Sequence, residues 1–230
     1  MIYDTVIAIS LERRKDRRYR LEKHLEERGF QNVYYLPAFD GRKITPGVVK
    51  ITPPRRNYFS FKDEITKDPV NHLNRFQVGC TLSHISAIKF AKMLGSKRAL
   101  IVEDDVEFVE DAIKHLEILE KEVKNIDWEM IYLGGAIRDH FGKKTTKVSS
   151  HLIKPGFTDG LHAYLVQGKG FNKISNAMLS FKTTNDDSIN DIMFREKNPL
   201  RAYMYKPKIA FQIIDFSELD QAITNRKDMR

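Results

Sequence analysis

The stretch ALIVEDDVEFV, residues 99–109, decides the fold because it joins a buried strand directly to a cluster of acids. Residues 99–102 are all apolar, which is typical of a strand that is covered on both faces, as in a parallel sheet. Glu103, Asp104 and Asp105 follow at once, and we call them the acidic triplet. In an open parallel sheet, ligands bind beyond the carboxyl ends of the strands. The sequence therefore predicts that the triplet lies at a ligand-binding edge.

Strand and helix patterns alternate upstream of this stretch. TVIAIS, residues 5–10, predicts a strand, and Leu21 and Leu25 then repeat at helical spacing before Gly29, a residue that commonly ends a helix. VYYL, residues 33–36, predicts a second strand. The pattern over residues 5–36 thus predicts a strand, a helix and a second strand.

A segment with little periodicity, residues 41–74, contains four prolines and predicts an irregular loop region. A helix follows it, and we expect Ser83 to cap this helix and Gly95 to end it.

Alternation continues downstream of the acidic triplet. The predicted elements are a helix over 113–123, strands over 129–135 and 161–167, helices over 171–179 and 188–196, and a strand region over 203–214 in which Pro207 marks an edge or a bend. This order predicts an α/β fold with a mostly parallel sheet and helices on both faces. We expect one domain over residues 1–220 and a polar tail over 221–230.

The chain is basic, with 230 residues, a net charge of +8 and an isoelectric point near 9.4. Such a charge favours an acidic partner, such as a phosphorylated small molecule or an anionic membrane face. The densest basic cluster, residues 13–20, also fits a solvated helix face. Because no zinc-finger, RNA-recognition or basic-zipper pattern accompanies it, we do not expect nucleic acid binding.

Several features bear on location. The single cysteine, Cys80, agrees with a reducing compartment. No apolar run is long enough to span a membrane, and the N-terminus lacks the pattern of a signal peptide. We therefore expect a cytoplasmic protein, with peripheral membrane contact as an open alternative.

Three adjacent carboxylates at a half-buried strand end repel one another and lose hydration, which costs several kcal/mol per ion without compensation. A divalent cation would compensate them, and oxygen ligands suit Mg²⁺ or Mn²⁺ held together with diphosphate oxygens. The alternative is that the acids cap the following helix.

The chain resembles glycosyltransferase family 25, which includes bacterial lipooligosaccharide galactosyltransferases and collagen hydroxylysine galactosyltransferases. The resemblance runs from about residue 3 to residue 219. It rests on the following segments, in this order: TVIAISLERRKDRR, YYLPAFDG, VGCTLSHISAIKFA, ALIVEDDVEF, MIYLGG, GLHAYLVQGKGFNKI and IAFQIIDFSEL.

The resemblance implies a GT-A-type fold and an inverting transfer of a hexose, commonly galactose, from a UDP-sugar. It also implies dependence on Mn²⁺. By position, Asp105 would ligate the metal, Asp104 would contribute to the metal or the donor, and Glu103 would hold the donor. The ion would neutralise the departing diphosphate.

Inverting transfer also needs a base that takes the proton of the acceptor hydroxyl. By the resemblance, Asp186 matches best and Asp187 next, while Asp191 stays open. An acidic helix N-terminus is the alternative explanation.

The remaining candidates for contact with the donor are residues that the resemblance or the sheet edge places near it: Ser10, Leu11, Arg13, Asp40, Ser83, His84 and His162. Ser10 departs from the family, which usually has Asn there. His162 also fits a satisfied core histidine, and Cys80 fits a small buried apolar residue. Gln212 matches a family glutamine of unclear role.

The acceptor stays open between a glycan, a lipid-linked saccharide and a hydroxylysine-type protein side chain. Two other classes of function are also open. A metal-dependent phosphohydrolase or nuclease would use clustered carboxylates as well, and a non-catalytic module would bind sugar nucleotides without transferring the sugar.

Overall fold

The structure, a computed structural model, describes residues 1–45, 73–138, 143–194 and 196–213, and the backbone of residues 216–217 and 222–223. Most of the predicted loop region over 41–74 and most of the predicted polar tail lie outside the described residues. In the part described, no helix has both the length and the apolar character needed to cross a membrane.

The strands, in chain order, are β1 (Thr5–Ser10), β2 (Val33–Pro37), β3 (Arg98–Glu103), β4 (Val106–Phe108), β5 (Met130–Tyr132), β6 (Ala136–Arg138), β7 (Thr146–Lys147), β8 (Leu152–Lys154), β9 (Phe157–Asp159), β10 (Ala163–Gln167), β11 (Ala202–Tyr205), β12 (Ala210–Gln212), β13 (Phe216–Ser217) and β14 (Ala222–Ile223). A large sheet has the order β2-β1-β3-β10-β5-β11-β8-β7, and β4 with β12, β6 with β9 and β13 with β14 form small ribbons.

The large sheet is mixed but mostly parallel. β1 pairs in parallel with β2 and β3, and β5 pairs in parallel with β11, whereas β10 and β8 run against their neighbours. The α/β prediction with a mostly parallel sheet is confirmed. Because β10 is reversed, its first residues lie at the same edge as the carboxyl ends of β1, β3 and β5.

Helices cover both faces of this sheet, as predicted. They are α1 (Lys15–Glu27), α2 (Arg75–Met93), α3 (Ala112–Glu122), α4 (Gly170–Leu179) and α5 (Asn185–Phe194), with a short 3-10 turn at Gly41–Lys43. Leu100 and Val102 of β3 face the core that includes apolar residues of α1 and α3, and Ile101 faces the core that includes those of α2, α4 and α5. Each fully buried aliphatic side chain contributes about 1.5 to 3 kcal/mol, so β3 is anchored from both sides.

The start of α2 corrects one sequence prediction. Asn74 caps the helix by accepting from the backbone N–H groups of Phe76 and Gln77, and the Gln77 side chain accepts from the Asn74 N–H. This reciprocal pair makes Asn74 a stronger helix start than Ser83. Ser83 therefore lies inside the helix, where its hydroxyl donates to the Gly79 carbonyl at 2.7 Å.

Two other boundaries differ from those expected. The helix predicted over 188–196 begins earlier, at Asn185, and the strand region over 203–214 is divided into β11 and β12. Pro207 lies in a bend between these two strands, which is one of the two roles predicted for it.

Candidate active site

The acidic triplet lies at the carboxyl edge of the large sheet, as predicted. Glu103 is the last residue of β3 and pairs with Ile9 of β1. On its other side, the Glu103 N–H donates to the His162 carbonyl at 3.0 Å, directly before β10. The sheet therefore gathers residues from three strands around these carboxylates.

Asp104 is held by the N-terminal helix. Its Oδ1 accepts from Nη1 of Arg17 at 3.3 Å, and its Oδ2 accepts from the Leu11 N–H at 3.4 Å. Nη2 of Arg20 donates to the Asp104 carbonyl at 3.1 Å. Burial raises the pKa of the Asp104 carboxyl, and the Arg17 charge and the Ser10 hydroxyl offset part of that rise. Asp104 thus fastens the turn after β3 to α1.

Arg17 is a site residue that sequence reasoning assigned to a solvated face. Its side chain is only 7% exposed, so that interpretation is wrong for this member of the basic cluster. The available signal was its spacing, because residues 17, 21 and 25 lie on one face of a helix and the last two are core leucines.

Asp105 is the least compensated carboxylate of the triplet. Its Oδ2 accepts from Nε2 of Gln212 at 2.9 Å and lies 3.8 Å from Nη1 of Arg17. Its Oδ1 is buried and has no hydrogen-bond partner among the residues that the structure describes. Burial, together with the charges of Glu103 and Asp104, raises the pKa of Asp105 to about 7.

A buried carboxylate oxygen without a partner is costly, and a bound cation would remove that cost. The oxygen donors at Asp105 suit Mn²⁺ or Mg²⁺. Gln212, which had no role in the sequence analysis, orients this carboxylate.

Glu103 and His84 form a contact across the edge. Nε2 of His84 lies 3.0 Å from Oε1 of Glu103, and Nδ1 of His84 lies 3.2 Å from the Tyr164 hydroxyl. His84 was expected in the first turn of a helix at the crevice. It instead lies inside α2, because that helix begins at Arg75, and it still reaches the triplet.

The N-terminus of α5 approaches the triplet from the α2 side. Asn185 donates through Nδ2 to Cys80 Sγ at 3.2 Å and accepts from the Thr81 hydroxyl at 2.6 Å. Burial raises the pKa of the Cys80 thiol, and the charges of Glu103, Asp186 and Asp105 add to this rise. Asp186 therefore shares an electrostatic environment with two members of the triplet.

Asp187 has a structural contact in α5. Its Oδ2 accepts from the Thr184 hydroxyl at 3.1 Å, and its backbone N–H donates to the Thr184 hydroxyl oxygen at 3.5 Å. Both contacts join Asp187 to the Thr184 hydroxyl at the start of the helix. Asp191 lies one turn further along the helix.

The loop after β2 is tied to the loop after β1. Nε of Arg13 donates to Oδ2 of Asp40 at 2.9 Å, and Oδ1 of Asp40 accepts from the Arg42 N–H at 2.9 Å. Ser83 accepts from the Phe39 N–H at 2.8 Å, so its hydroxyl holds this loop against α2.

His162 is almost fully buried, with 1% of its surface exposed. Its Nε2 lies 3.3 Å from the Ala210 carbonyl. A Cβ on Gly134 would come within 2.2 Å of both that carbonyl oxygen and His162 Nε2. The absence of a side chain at Gly134 thus allows β5, β10 and β12 to meet beneath the triplet.

Clustered carboxylates at the edge of such a sheet are typical of sites that bind a divalent cation together with a phosphorylated ligand. Comparison with known sequences defines the group further. Residues 3–189 match the family model described as "Glycosyltransferase family 25 (LPS biosynthesis protein)". The chain therefore belongs to glycosyltransferase family 25, as the sequence motifs indicated.

Curated relatives include both named enzymes and members described as inactive. Procollagen galactosyltransferase 2 of Homo sapiens is 27% identical over 206 residues, which cover 88% of this chain and 32% of the relative. A probable inactive glycosyltransferase 25 family member 3 of Bos taurus is 28% identical over 210 residues, which cover 88% of this chain and 33% of the relative. The chain thus spans about a third of the length of the curated relatives it matches.

Among solved structures, the chain is similar to a glycosyltransferase involved in the glycosylation of the major capsid of PBCV-1. That match has a TM-score of 0.47 and 10% identity, and it covers 94% of this chain and 96% of the other.

Proposed function

We propose that this chain is a metal-dependent, inverting glycosyltransferase that moves a hexose, galactose first among the candidates, from a UDP-sugar to a hydroxyl group of an acceptor. Membership of glycosyltransferase family 25 supports the reaction class. The procollagen galactosyltransferases among the relatives support galactose as the transferred sugar.

The observation that carries the metal dependence is the buried, unpartnered Oδ1 of Asp105 among the described residues. Asp105 would hold Mn²⁺ or Mg²⁺, with Asp104 beside it. When bound, such an ion supplies Lewis-acid stabilisation of the diphosphate leaving group. Gln212 and Arg17 orient the Asp105 carboxylate, so little rearrangement is needed for binding.

Donor recognition is assigned to the loops around the triplet. The Glu103 side chain keeps 24% exposure and is oriented by His84, which suits it to accept hydrogen bonds from ribose or sugar hydroxyls. The Arg13 and Asp40 pair joins the two loops expected to face the nucleotide, and Ser10 and Leu11 precede that pair. We assign Ser83 and His162 supporting roles, because each holds a loop or strand at the edge.

Asp186 is the preferred base for the acceptor hydroxyl. Its charge acts on Cys80 and on Tyr132, both of which border the edge. Asp187 contacts Thr184 at the start of α5, which gives it a structural role in that helix. In the proposed reaction, the acceptor O–H proton passes to Asp186, the acceptor oxygen bonds to the anomeric carbon, and the bond to UDP breaks.

The acceptor is proposed only by class, as a glycan, a lipid-linked saccharide or a hydroxylysine-type protein side chain. The net charge of +8 favours acceptors that carry acidic groups. We also propose a cytoplasmic location with contact at a membrane periphery, which would suit a lipid-linked acceptor.

A donor screen tests the proposal. The chain is incubated with Mn²⁺ and each of several UDP-hexoses, with lipooligosaccharide core or a hydroxylysine peptide as acceptor, and released UDP is measured. We expect UDP-galactose to give the fastest release, and Asp105→Asn to lower it by about 100-fold or more. Glu107→Gln is the matched control, because Glu107 is exposed and lies two residues away. UDP release that is equal in wild type and Asp105→Asn would contradict the proposal.

A further inference from the structure

We propose that Cys80, His84 and Glu103 form a second cation site, selective for a thiophilic divalent ion such as Zn²⁺, beside the oxygen-ligand site at Asp105. Each of the three residues offers one ligand atom, and these atoms all lie within 4.8 Å of one another. The inference goes beyond the proposed function and does not depend on it.

Two elements place the ligands. Cys80 and His84 are four residues apart on α2, so their side chains lie on the same face of the helix. Glu103 comes from the end of β3 and meets that face, with Oε1 3.0 Å from His84 Nε2. In a tetrahedral zinc site, nitrogen and oxygen ligands lie about 3.3 Å apart. The His84 and Glu103 atoms therefore need only a small movement to share an ion.

The surroundings of the ligands also suit a metal site. Metal-ligating histidines usually engage their second ring nitrogen in a hydrogen bond, which fixes the ring. Nδ1 of His84 has this contact with the Tyr164 hydroxyl at 3.2 Å. Nδ2 of Asn185 donates to Cys80 Sγ at 3.2 Å, and Asn185 is itself held by Thr81. An amide donor aimed at sulfur stabilises a thiolate ligand.

Ligand chemistry separates this site from the one at Asp105. Thiolate and imidazole select zinc-like ions, whereas carboxylate oxygens alone select Mg²⁺ or Mn²⁺. Burial, and after it the charges of Glu103, Asp186 and Asp105, raise the pKa of the Cys80 thiol in the metal-free chain. A divalent cation bound at the sulfur opposes this effect by favouring the thiolate. On binding, the Cys80 S–H bond breaks, the proton passes to the buffer, and a sulfur–metal bond forms.

The second cation site and the proposed donor site both use Glu103, so an ion at the second site should affect the proposed reaction. An ion on Cys80 and His84 would draw Glu103 away from donor hydroxyls. We therefore expect Zn²⁺ to weaken UDP-sugar binding even when Mn²⁺ is saturating.

Cobalt titration of the full chain tests the site, because Co²⁺ replaces Zn²⁺ and gives a thiolate-to-cobalt absorption band in the near ultraviolet. The chain has one cysteine, so this band can report only Cys80. We expect a saturable band at one cobalt per chain that Zn²⁺ abolishes. Cys80→Ser should remove the band, and His84→Gln and Glu103→Gln should each weaken cobalt binding by about tenfold or more.

His115→Gln is the matched control, because His115 lies on α3 and contacts Tyr205 rather than the cluster. Circular dichroism of each variant checks folding. No band in the wild type at saturating cobalt, or a band that neither His84→Gln nor Glu103→Gln weakens, would overturn the inference. Absence of UDP binding to the wild type with Mn²⁺ alone, before any cobalt or zinc is added, would instead count against the proposed function.

Discussion

Nη1 of Arg17 lies 3.3 Å from Oδ1 of Asp104, and the two side chains are 7% and 10% exposed. The pair joins the first helix to the turn that carries the acidic triplet. Removing one member of a buried ion pair leaves an uncompensated charge, which is far more destabilising than the loss of an exposed pair.

Arg17→Met is therefore expected to lower the free energy of unfolding by about 3 kcal/mol. Arg18→Gln is the control, since Arg18 is 41% exposed and pairs with Glu22 on the same helix; it should cost no more than about 0.5 kcal/mol. Urea unfolding at neutral pH measures both. Equal costs for the two variants would show that the buried pair is not a structural anchor.

Asp105 should make the metal-free chain less stable as pH rises. Its folded-state pKa is about 7, above the usual value of about 4, so the folded chain binds this proton more tightly than the unfolded chain does. Stability contributed by the proton is present below about pH 4 and is lost as pH rises through about 7.

Asp105→Asn should consequently raise the free energy of unfolding at pH 8 by about 2 kcal/mol and change it little at pH 4. Urea unfolding in the presence of a chelator, at both pH values, gives the comparison. Glu107→Gln serves as the control and should show no such pH dependence. A gain for Asp105→Asn that is the same at both pH values would rule out this explanation.

Asp186 and Asp187 are neighbours with different predicted roles. Asp186→Asn should reduce galactose transfer by about 100-fold or more while Mn²⁺-dependent UDP binding is retained. Asp187→Asn should mainly weaken the start of α5, where its charge lies in the first turn, at a cost of about 0.5 kcal/mol, with transfer close to wild type. UDP release and thermal unfolding measured on both variants separate the two roles, and the reverse pattern would assign the base to Asp187.

Gly134 should tolerate no side chain. Gly134→Ala places a methyl group where the Ala210 carbonyl and His162 Nε2 already lie, so we expect a loss of about 2 kcal/mol or more in stability. Ala136→Ser adds one atom at a half-buried position nearby and is the control. Thermal unfolding that leaves Gly134→Ala as stable as Ala136→Ser would show that the strands can separate there without cost.

Much of the fold could be predicted because local patterns agree with the tertiary structure. The apolar run before Glu103 and the helical spacing of Leu21 and Leu25 each gave the right element. The reversed direction of β10 could not be predicted, since an apolar strand has the same pattern in either direction. The start of α2 was missed because Ser83 is a good cap by type, while Asn74 was assigned to the end of the loop region and its capping partner Gln77 lay between that region and the predicted helix.

The candidate site was predictable in its acids and not in their partners. The sequence shows three adjacent carboxylates directly after a strand. Because such carboxylates repel one another and need a compensating group, they predict a site. The compensating groups, Arg17 and Gln212, come from distant segments, and only the folded chain brings them together. Cys80 was expected to be a buried apolar residue, and its closeness to His84 and Glu103 depends on how α2 packs against β3.

The central claim is that Asp105 holds a divalent cation through which the chain binds a UDP-sugar. Calorimetric titration with UDP, with and without Mn²⁺, tests it most directly on wild type and Asp105→Ala. We predict that UDP binding requires Mn²⁺ in the wild type and is lost in Asp105→Ala at the same Mn²⁺ concentration. UDP binding that is indifferent to both the ion and Asp105 would contradict the account.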